Sequence, residues 1–247
     1  MPTAGAVMAD GTVTLTIDAV ATDYPAFRVG FVVLRGMRAD PGACPAIDAL
    51  VAEAEALTAE RLTECDIAAL AEIADWRVAY RSFGIKKTSY RNACEALLRR
   101  LRGGAGLPRV LPLVDLYNAL SVKYLIPVGA DDVASLAPPL AFRYALPGDS
   151  FHDLAGDHEI DDPPKPGEVV LADAAHVLCR RWNWRQDARS RIRPETRAAT
   201  LVLQTLAPDG EARLTAAAEQ LAACAAADLG ATCRWAIASA EAPRVEV

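Results

Sequence analysis

RVAYRSFGIKKTSYRNACEALLRRLRGGAGLPRVLPLVDLYNALSVKYLIPVGADDVASLAPPLAFRYALPGD, residues 77–149, is the stretch whose reading decides what kind of chain this is. Its first half is basic: nine Lys or Arg between Arg77 and Arg109 against one acid, Glu95. Its second half is apolar and carries isolated polar residues, namely Asp115, Asn118, Ser121, Asp131, Asp132, Arg143 and Asp149. A positive entrance beside an apolar wall with sparse polar groups suits a charged, polymeric substrate with a small reacting end.

Working outward, Ser89 can cap a helix over Tyr90–Leu101 with Leu97, Leu98 and Leu101 on its apolar side. Arg99, Arg100 and Arg102 then fall in the last turn, where they suit the helix dipole. GGAG (103–106) ends that helix, and Val114–Lys123 predicts a second, more apolar one. Leu125–Val128 reads as a short strand, 129–132 as a turn, Leu140–Ala145 as a strand and 147–149 as a turn. Upstream, 11–20 and 26–35 read as strands, and 46–74 as one or two amphipathic helices onto which Trp76 and Tyr80 pack the next element. Downstream, 155–167 reads as an acidic, Pro-rich loop, Glu168–Ala172 and His176–Arg181 as strands, and 194–206 as a helix with Pro194 in its first turn. An Ala-rich helix over Leu214–Leu229 and a strand over Thr232–Ala238 complete an α+β chain, read as one domain over 1–247 with an integral N-terminal layer.

The 247 residues carry a net charge of −6, which argues against wholesale coating of nucleic acid. The charge is unevenly spread, however. Residues 180–197 hold seven Arg against Asp187 and Glu195, a second basic island with few acids inside it. Two such islands on an acidic protein suggest a local phosphate-binding face. The competing reading, a solvated face of i,i+4 ion pairs, is weakened by the scarcity of acids within each island. Six scattered cysteines form no CxxC pair and are read as buried thiols, and His152, His158 and His176 have no metal-ligand spacing, so neither zinc nor another cofactor is expected. No run approaches a membrane span, and MPTAGAVMADG has neither a basic nor an apolar signal region, so the chain is read as cytoplasmic.

VDLYNALS (114–121), IPVGADD (126–132), LAFRYALPGDSFHDLAG (140–156) and GEVVLAD (167–173) resemble, in order and spacing, the B3/B4 domain, the editing domain of the bacterial phenylalanyl-tRNA synthetase β subunit. The resemblance covers roughly Tyr80 to Thr205, and no other synthetase part is present. With RSFG (82–84 preceded by Arg81), EALLRR (95–100) and RRWNWRQD (180–187), the chain is similar to freestanding B3/B4 proteins, a group that includes deacylases removing canavanine from mischarged arginine tRNA. The resemblance implies an α+β B3/B4-like fold with a mixed or antiparallel sheet, and a trans-editing hydrolase that deacylates a mischarged aminoacyl-tRNA, with canavanyl-tRNA(Arg) as the leading substrate. The implied partner is the acceptor end of an aminoacyl-tRNA, with transient contact to a synthetase as a further option and neither DNA nor a membrane. The synthetase domain carries a histidine in the segment matching 127–131, where this chain has Val128 and Gly129.

Hydrolysis of an activated ester needs a positioned water and a stabilised oxyanion rather than a strong nucleophile, and neither GxSxG nor a Cys–His set is evident. The candidate catalytic residues are Asn118, Asp131 and Asp187. Asn118 alternatively bonds a neighbouring loop; turn capping is the alternative for one of Asp131 and Asp132, and the match of PVGxxD to a site segment of the family favours Asp131 as the ligand of a substrate cation. The substrate-binding candidates are Tyr117, Gly129, Arg143, Trp182, Trp184 and Arg185. Arg143 has a bland alternative in a pair with Asp149. Two Trp one residue apart face the same side of a strand, either as a core pair or as a wall on which a guanidinium stacks with Asp187 accepting its N–H groups. Arg81, Lys86, Lys87 and Arg91 are the candidates for contacting the tRNA backbone. Two readings compete with the deacylase for canavanine: a deacylase for another misattached amino acid, and a noncatalytic tRNA- or RNA-binding module, with a small-molecule sensor as a third.

Overall fold

A computed structural model describes residues 11–247 apart from Ala39, Thr88, Gly156 and Asp157. The first ten residues, expected to carry no leader, lie outside that range. In chain order the N-terminal part runs β1 (Thr14–Thr16), α1 (Asp18–Ala21), β2 (Arg28–Arg35), α2 (Pro45–Glu64), α3 (Ala71–Ser82), α4 (Ala93–Arg102) and α5 (Pro112–Tyr124). The middle holds β3 (Val128–Asp132), β4 (Leu140–Tyr144), β5 (His152–Ala155), β6 (His158–Asp161), β7 (Val169–Ala172), β8 (Val177–Arg180) and β9 (Arg185–Gln186). It ends with β10 (Ala198–Thr205), α6 (Gly210–Cys224), a π turn over Ala225–Leu229, β11 (Thr232–Ala238) and β12 (Arg244–Glu246).

Three layers result. A four-stranded antiparallel sheet, ordered β11-β2-β10-β3, lies in the middle. One face carries Val32, Leu34, Leu201 and Leu203 into a core shared with α2, α4, α5 and α6. The other face carries Val29, Phe31, Val33 and Val202 into a second core, closed by α3 and a six-stranded sheet ordered β12-β1-β4-β7-β8-β9. Among the described residues only β1 and β4 pair in parallel and the other pairings are antiparallel, which makes this an α+β fold with one mixed sheet. Because both faces of the middle sheet are covered, β2 and β10 read as near-continuous apolar runs rather than as alternation.

That sandwiching explains the largest departure from the sequence reading. Residues 194–206 were expected to be a helix; 198–205 instead form β10, the strand between β2 and β3. Thr200, Val202 and Thr205 are β-branched, and a strand buried on both faces shows no period-two signal to set against Pro194. Smaller corrections have local causes. The 129–132 segment is strand β3, not a turn. The helix expected over 90–101 starts at Ala93, because the Asn92 carboxamide, not Ser89, accepts the Glu95 backbone N–H at 2.8 Å. The 155–167 loop contributes β6 to a hairpin with β5. No described helix is long and apolar enough to cross a membrane.

Candidate functional site

The edge strand of the middle sheet, β3, meets the edge strand of the outer sheet, β9. Between them lies a cavity of about 240 Å³. Its floor is Gly129 and Asp131 of β3 with Val202 and Gln204 of β10; Thr200 faces Asp131 and Val202 faces Gly129 across the ladder. One wall is helical, with Ala93, Ala96 and Leu97 of α4 and Tyr117 and Asn118 of α5. The other wall is Leu171, Cys179, Asn183, Trp184, Arg185 and Gln186. A Cβ built on Gly129 would meet only Val202 Cγ2, at 3.8 Å, so this glycine leaves room to the cavity.

Asp131 is the chemical centre of the space. It is 3 % exposed. Its Oδ1 accepts the Gln186 Nε2–H at 2.9 Å and the Ser190 hydroxyl at 2.7 Å, while Gln186 also donates to the Ala130 carbonyl. No described Lys, Arg or His lies within ion-pair distance of it. Burial without a cation penalises the charged form, so the carboxyl is pushed up to about 7; the two hydrogen bonds oppose the shift, and the charge of Asp187 adds to it. Two other buried carboxylates, Glu95 and Asp187, are held low because each has an arginine beside it. At Glu95 it is Arg77 and Arg99 that outweigh burial.

Around Asp131 the polar groups are neutral. The Asn118 carboxamide and the Tyr117 hydroxyl line the cavity and make no hydrogen bond to a described residue. Burial raises the Tyr117 phenol, with Asp131 adding to the effect, which leaves Tyr117 a neutral donor. Asn183 is fixed by a relay: Tyr80 OH donates to its Oδ1 at 2.8 Å and its Nδ2 donates to Gln204 Oε1 at 3.3 Å. Burial raises the Cys179 thiol as well, so this cavity cysteine is not a ready thiolate nucleophile. Among the described residues no group of three or more His, Cys, Asp or Glu could hold a metal ion.

Of the residues singled out from the sequence, the cavity brings together Tyr117, Asn118, Gly129, Asp131, Trp184 and Arg185. Arg185 is exposed at the rim, where its Nη1 donates to Asp153 at 3.0 Å and its guanidinium lies 5.0 Å from the Trp184 ring. Three others are placed elsewhere, and these are corrections. Asp187 is fully buried outside the cavity. Its oxygens accept the Arg189 Nε–H at 2.8 Å and Nη2–H at 2.6 Å, plus the backbone N–H of Arg189 and His152, so they have no capacity left for a substrate. Trp182 is packed in the second core against Tyr24, Phe27 and Trp76. The two tryptophans part company because 181–184 is a turn in which Arg181 and Trp182 both take left-handed backbone (φ 48 and 68°). Arg143 forks onto Asp149 at 2.7 and 2.8 Å.

The basic island is also rearranged by the fold. Arg77, Arg91 and Arg99 converge on Glu95, Arg102 pairs with Asp66, and Arg109 with Asp48 and Asp115. The island's own Glu95 thus gathers three arginines, and Asp66, Asp48 and Asp115 supply the partners of Arg102 and Arg109. Arg81, Lys86 and Lys87 remain exposed, off the cavity, and without an ion pair to a described residue. Sequence reasoning missed Gln204, whose segment was read as helix, and gave no role to Gln186. A lone glutamine in a buried apolar strand was the available signal for the first.

A half-open, mostly apolar cavity with a carboxylate at its floor that has no cation beside it, and with Arg185 at its rim, has the form of a small-group pocket on an α+β scaffold. The B3/4 domain family model matches residues 75–222, more than half of the sequence, and the chain belongs to that family. No curated protein is similar enough to count as a relative. Among solved structures, the N-terminal fragment of the phenylalanyl-tRNA synthetase beta-subunit from Pyrococcus horikoshii is similar at 12% identity and a TM-score of 0.49, over 95% of this chain and 53% of that one. The chain therefore spans about half the length of that structure.

Proposed function

We propose that this protein is a freestanding aminoacyl-tRNA deacylase whose cavity receives the amino acid of a mischarged tRNA, with canavanyl-tRNA(Arg) as the leading substrate. The observation that carries the reading is the buried Asp131 carboxylate with no cation beside it. A cationic side chain entering the cavity would supply the missing charge. Family membership supports an editing role through the sequence resemblance to synthetase editing domains. Asp131 replaces Asp187 as the acceptor for a guanidinium-type group, and Trp184 offers an aromatic wall.

The reaction on this reading is water attack on the ester carbonyl. A carbon–oxygen bond forms to water, the bond to the ribose oxygen breaks, and the ribose oxygen takes the proton, releasing free amino acid and intact tRNA. Tyr117 and Asn118 are neutral donors with spare capacity, suited to hold the water or the developing oxyanion. Canavanine differs from arginine by an oxygen in place of a methylene. An apolar contact separates such a pair only ~10–200-fold, so the polar Gln186, Gln204 and Asn118 groups are the natural readers of that oxygen.

A panel of tRNAs charged with canavanine, arginine, lysine and phenylalanine tests this by loss of the ester bond. Turnover of the canavanyl ester above the others supports the proposal. Turnover of a neutral amino acid only would replace the substrate, and tRNA retention with no ester loss from any member would replace the deacylase with a noncatalytic tRNA-binding module.

A further inference from the structure

Arg181 is a buried cation held by one loose ion pair. Its residue is 5 % exposed. Its guanidinium is stacked between two rings, 3.9 Å from the Tyr90 centroid and 4.2 Å from that of Trp184. None of its nitrogens makes a hydrogen bond to a described residue, and Nε and Nη1 are buried orphans. The nearest carboxylate, Glu168, stands 3.8 Å away and is already engaged by Arg180 at 3.2 and 2.9 Å. Buried guanidinium groups are ordinarily paired or fully hydrogen-bonded. Here the faces are satisfied by aromatic rings and the N–H edges are not, which leaves the edges for a planar-edge acceptor such as a phosphate or carboxylate.

The surroundings select among anions. Arg181 and Trp182 hold successive left-handed backbone in residues other than glycine, an outlier of the kind that persists where a site over-determines it. The same turn docks on α4: the Asn183 carbonyl accepts the Ala93 N–H at 2.9 Å, so the positive N-terminal end of that helix points at this turn. Tyr90 closes the segment that carries the exposed Lys86 and Lys87, and the neighbouring Arg91 has an Nε that lies 3.8 Å from Glu95 and makes no hydrogen bond to a described residue. Trp184 and Asn183 are at once part of this cluster and part of the cavity wall. A buried cation whose aromatic clamp Trp184 also lines the cavity, with the exposed Lys86 and Lys87 on the segment that Tyr90 closes, fits a chain of phosphates that ends in the cavity.

We infer that Arg181, clamped by Tyr90 and Trp184, is a phosphate-binding subsite that receives a backbone phosphodiester next to the nucleotide whose ester enters the cavity. The inference rests on the proposed tRNA substrate for the identity of the phosphate, but not for the existence of an anion site. It assigns Trp184 a double duty, as cavity wall and as the face that holds the phosphate receptor in place.

The test compares wild type with Arg181→Met and Arg181→Lys in two arms. In the first, retention of an RNA hairpin ending in the single-stranded 3′ tail of a tRNA is measured against KCl. Loss of one single-strand phosphate contact lowers the slope of log affinity against log salt by about 0.7, so the wild-type to Arg181→Met affinity ratio shrinks about 2.6-fold between about 50 and about 200 mM KCl. Arg181→Lys, which keeps the charge but not the fork, retains most of the slope; if Arg181→Met fails to fold, Arg181→Gln takes its place. An unchanged slope in a folded, uncharged variant overturns the subsite. In the second arm, inorganic phosphate is titrated while tryptophan fluorescence is followed, with Trp184→Phe identifying the responding indole. If wild type retains no RNA, the tRNA reading falls and this arm alone decides. A saturable response lost in both Arg181→Met and Trp184→Phe upholds an anion site, and no response overturns it.

Discussion

Replacing Asp131 with Asn removes a charge while keeping the shape and both bonds that the carboxylate accepts, because Gln186 and Ser190 donate to the same oxygen, Oδ1. In the unfolded chain this carboxyl loses its proton near the ordinary 3.8; in the folded protein it holds it to about 7. Between those values the folded state binds more protons than the unfolded one, so raising the pH destabilises wild type relative to Asp131→Asn. A separation of about 3 units at about 1.4 kcal/mol each makes the difference between the two proteins grow by on the order of 4 kcal/mol from pH ~4 to pH ~8, most of it complete once pH passes 7. All other titrations are common to both proteins and cancel in the difference. Urea unfolding of the two proteins in parallel, at intervals across that range, reads the effect directly from the midpoints. Asp131→Asn should be the more stable protein at pH 8 and lose that advantage on acidification. A stability difference that stays flat with pH would mean that Asp131 is already compensated by a charge, and the cation-acceptor argument would go with it.

Asn118→Ala removes a carboxamide with no described partner, so it should lower the deacylation rate severalfold or more while shifting the thermal midpoint little; a large stability loss with unchanged turnover would make Asn118 a structural residue. Asp187→Ala strands the Arg189 guanidinium and two backbone N–H groups, and should cost about 3 kcal/mol in urea unfolding whatever the substrate. Trp182→Ala empties a fully buried site among Tyr24, Phe27 and Trp76 and should cost roughly 3–5 kcal/mol. Lys86→Ala combined with Lys87→Ala should weaken tRNA retention and flatten its salt dependence without altering the ester preference; an unchanged salt slope places the tRNA on another face.

How much of this was legible in the sequence depends on whether a residue's role is set locally. The strand over Thr232–Ala238 and the apolar helix around 114–123 announce themselves by composition, and the α+β class follows from them. β10 does not, since a strand covered on both faces has no alternation to display. Asp131 was placed in the wrong element: GADD reads as a turn, yet β10 gives it a ladder partner. Trp182 and Trp184 show the limit most clearly. Their spacing implies one shared side, and only the left-handed backbone at 181 and 182 sends one indole to the core and the other to the cavity. Glu95 inside the island gathers Arg77, Arg91 and Arg99, while Asp48 and Asp66 precede the island in sequence and reach Arg109 and Arg102 through the packing of α2 and the loop after it against α4 and the segment that follows. Charge counted within a window therefore overstates the free positive surface, which among the described residues of 77–109 contracts to Arg81, Lys86, Lys87 and Arg100.

The depth of Asp131 bears on which substrate cation it meets. Every aminoacyl ester carries an α-ammonium next to the reacting carbonyl, but Asp131 lies on the sheet floor at 3 % exposure, whereas the cationic rim is at Arg185. A group that reaches the floor while the ester stays by the rim is the far end of a long side chain. Ionised Asp131 attracts it and protonated Asp131 does not, so kcat/KM for a side chain that stays cationic, such as arginine, corrected for spontaneous ester loss, should rise with pH and level off above about 7, falling up to tenfold per unit below, whereas the less basic oxyguanidinium of canavanine should give a maximum instead of a plateau. Acetylating the α-amine of the arginyl ester should leave its profile in place. Substituting a neutral side chain of similar length, or Asp131→Asn in the enzyme, should erase it. A profile abolished by acetylation instead would put the α-ammonium on Asp131, turn the amino acid end for end in the cavity, and bring the ester to the floor.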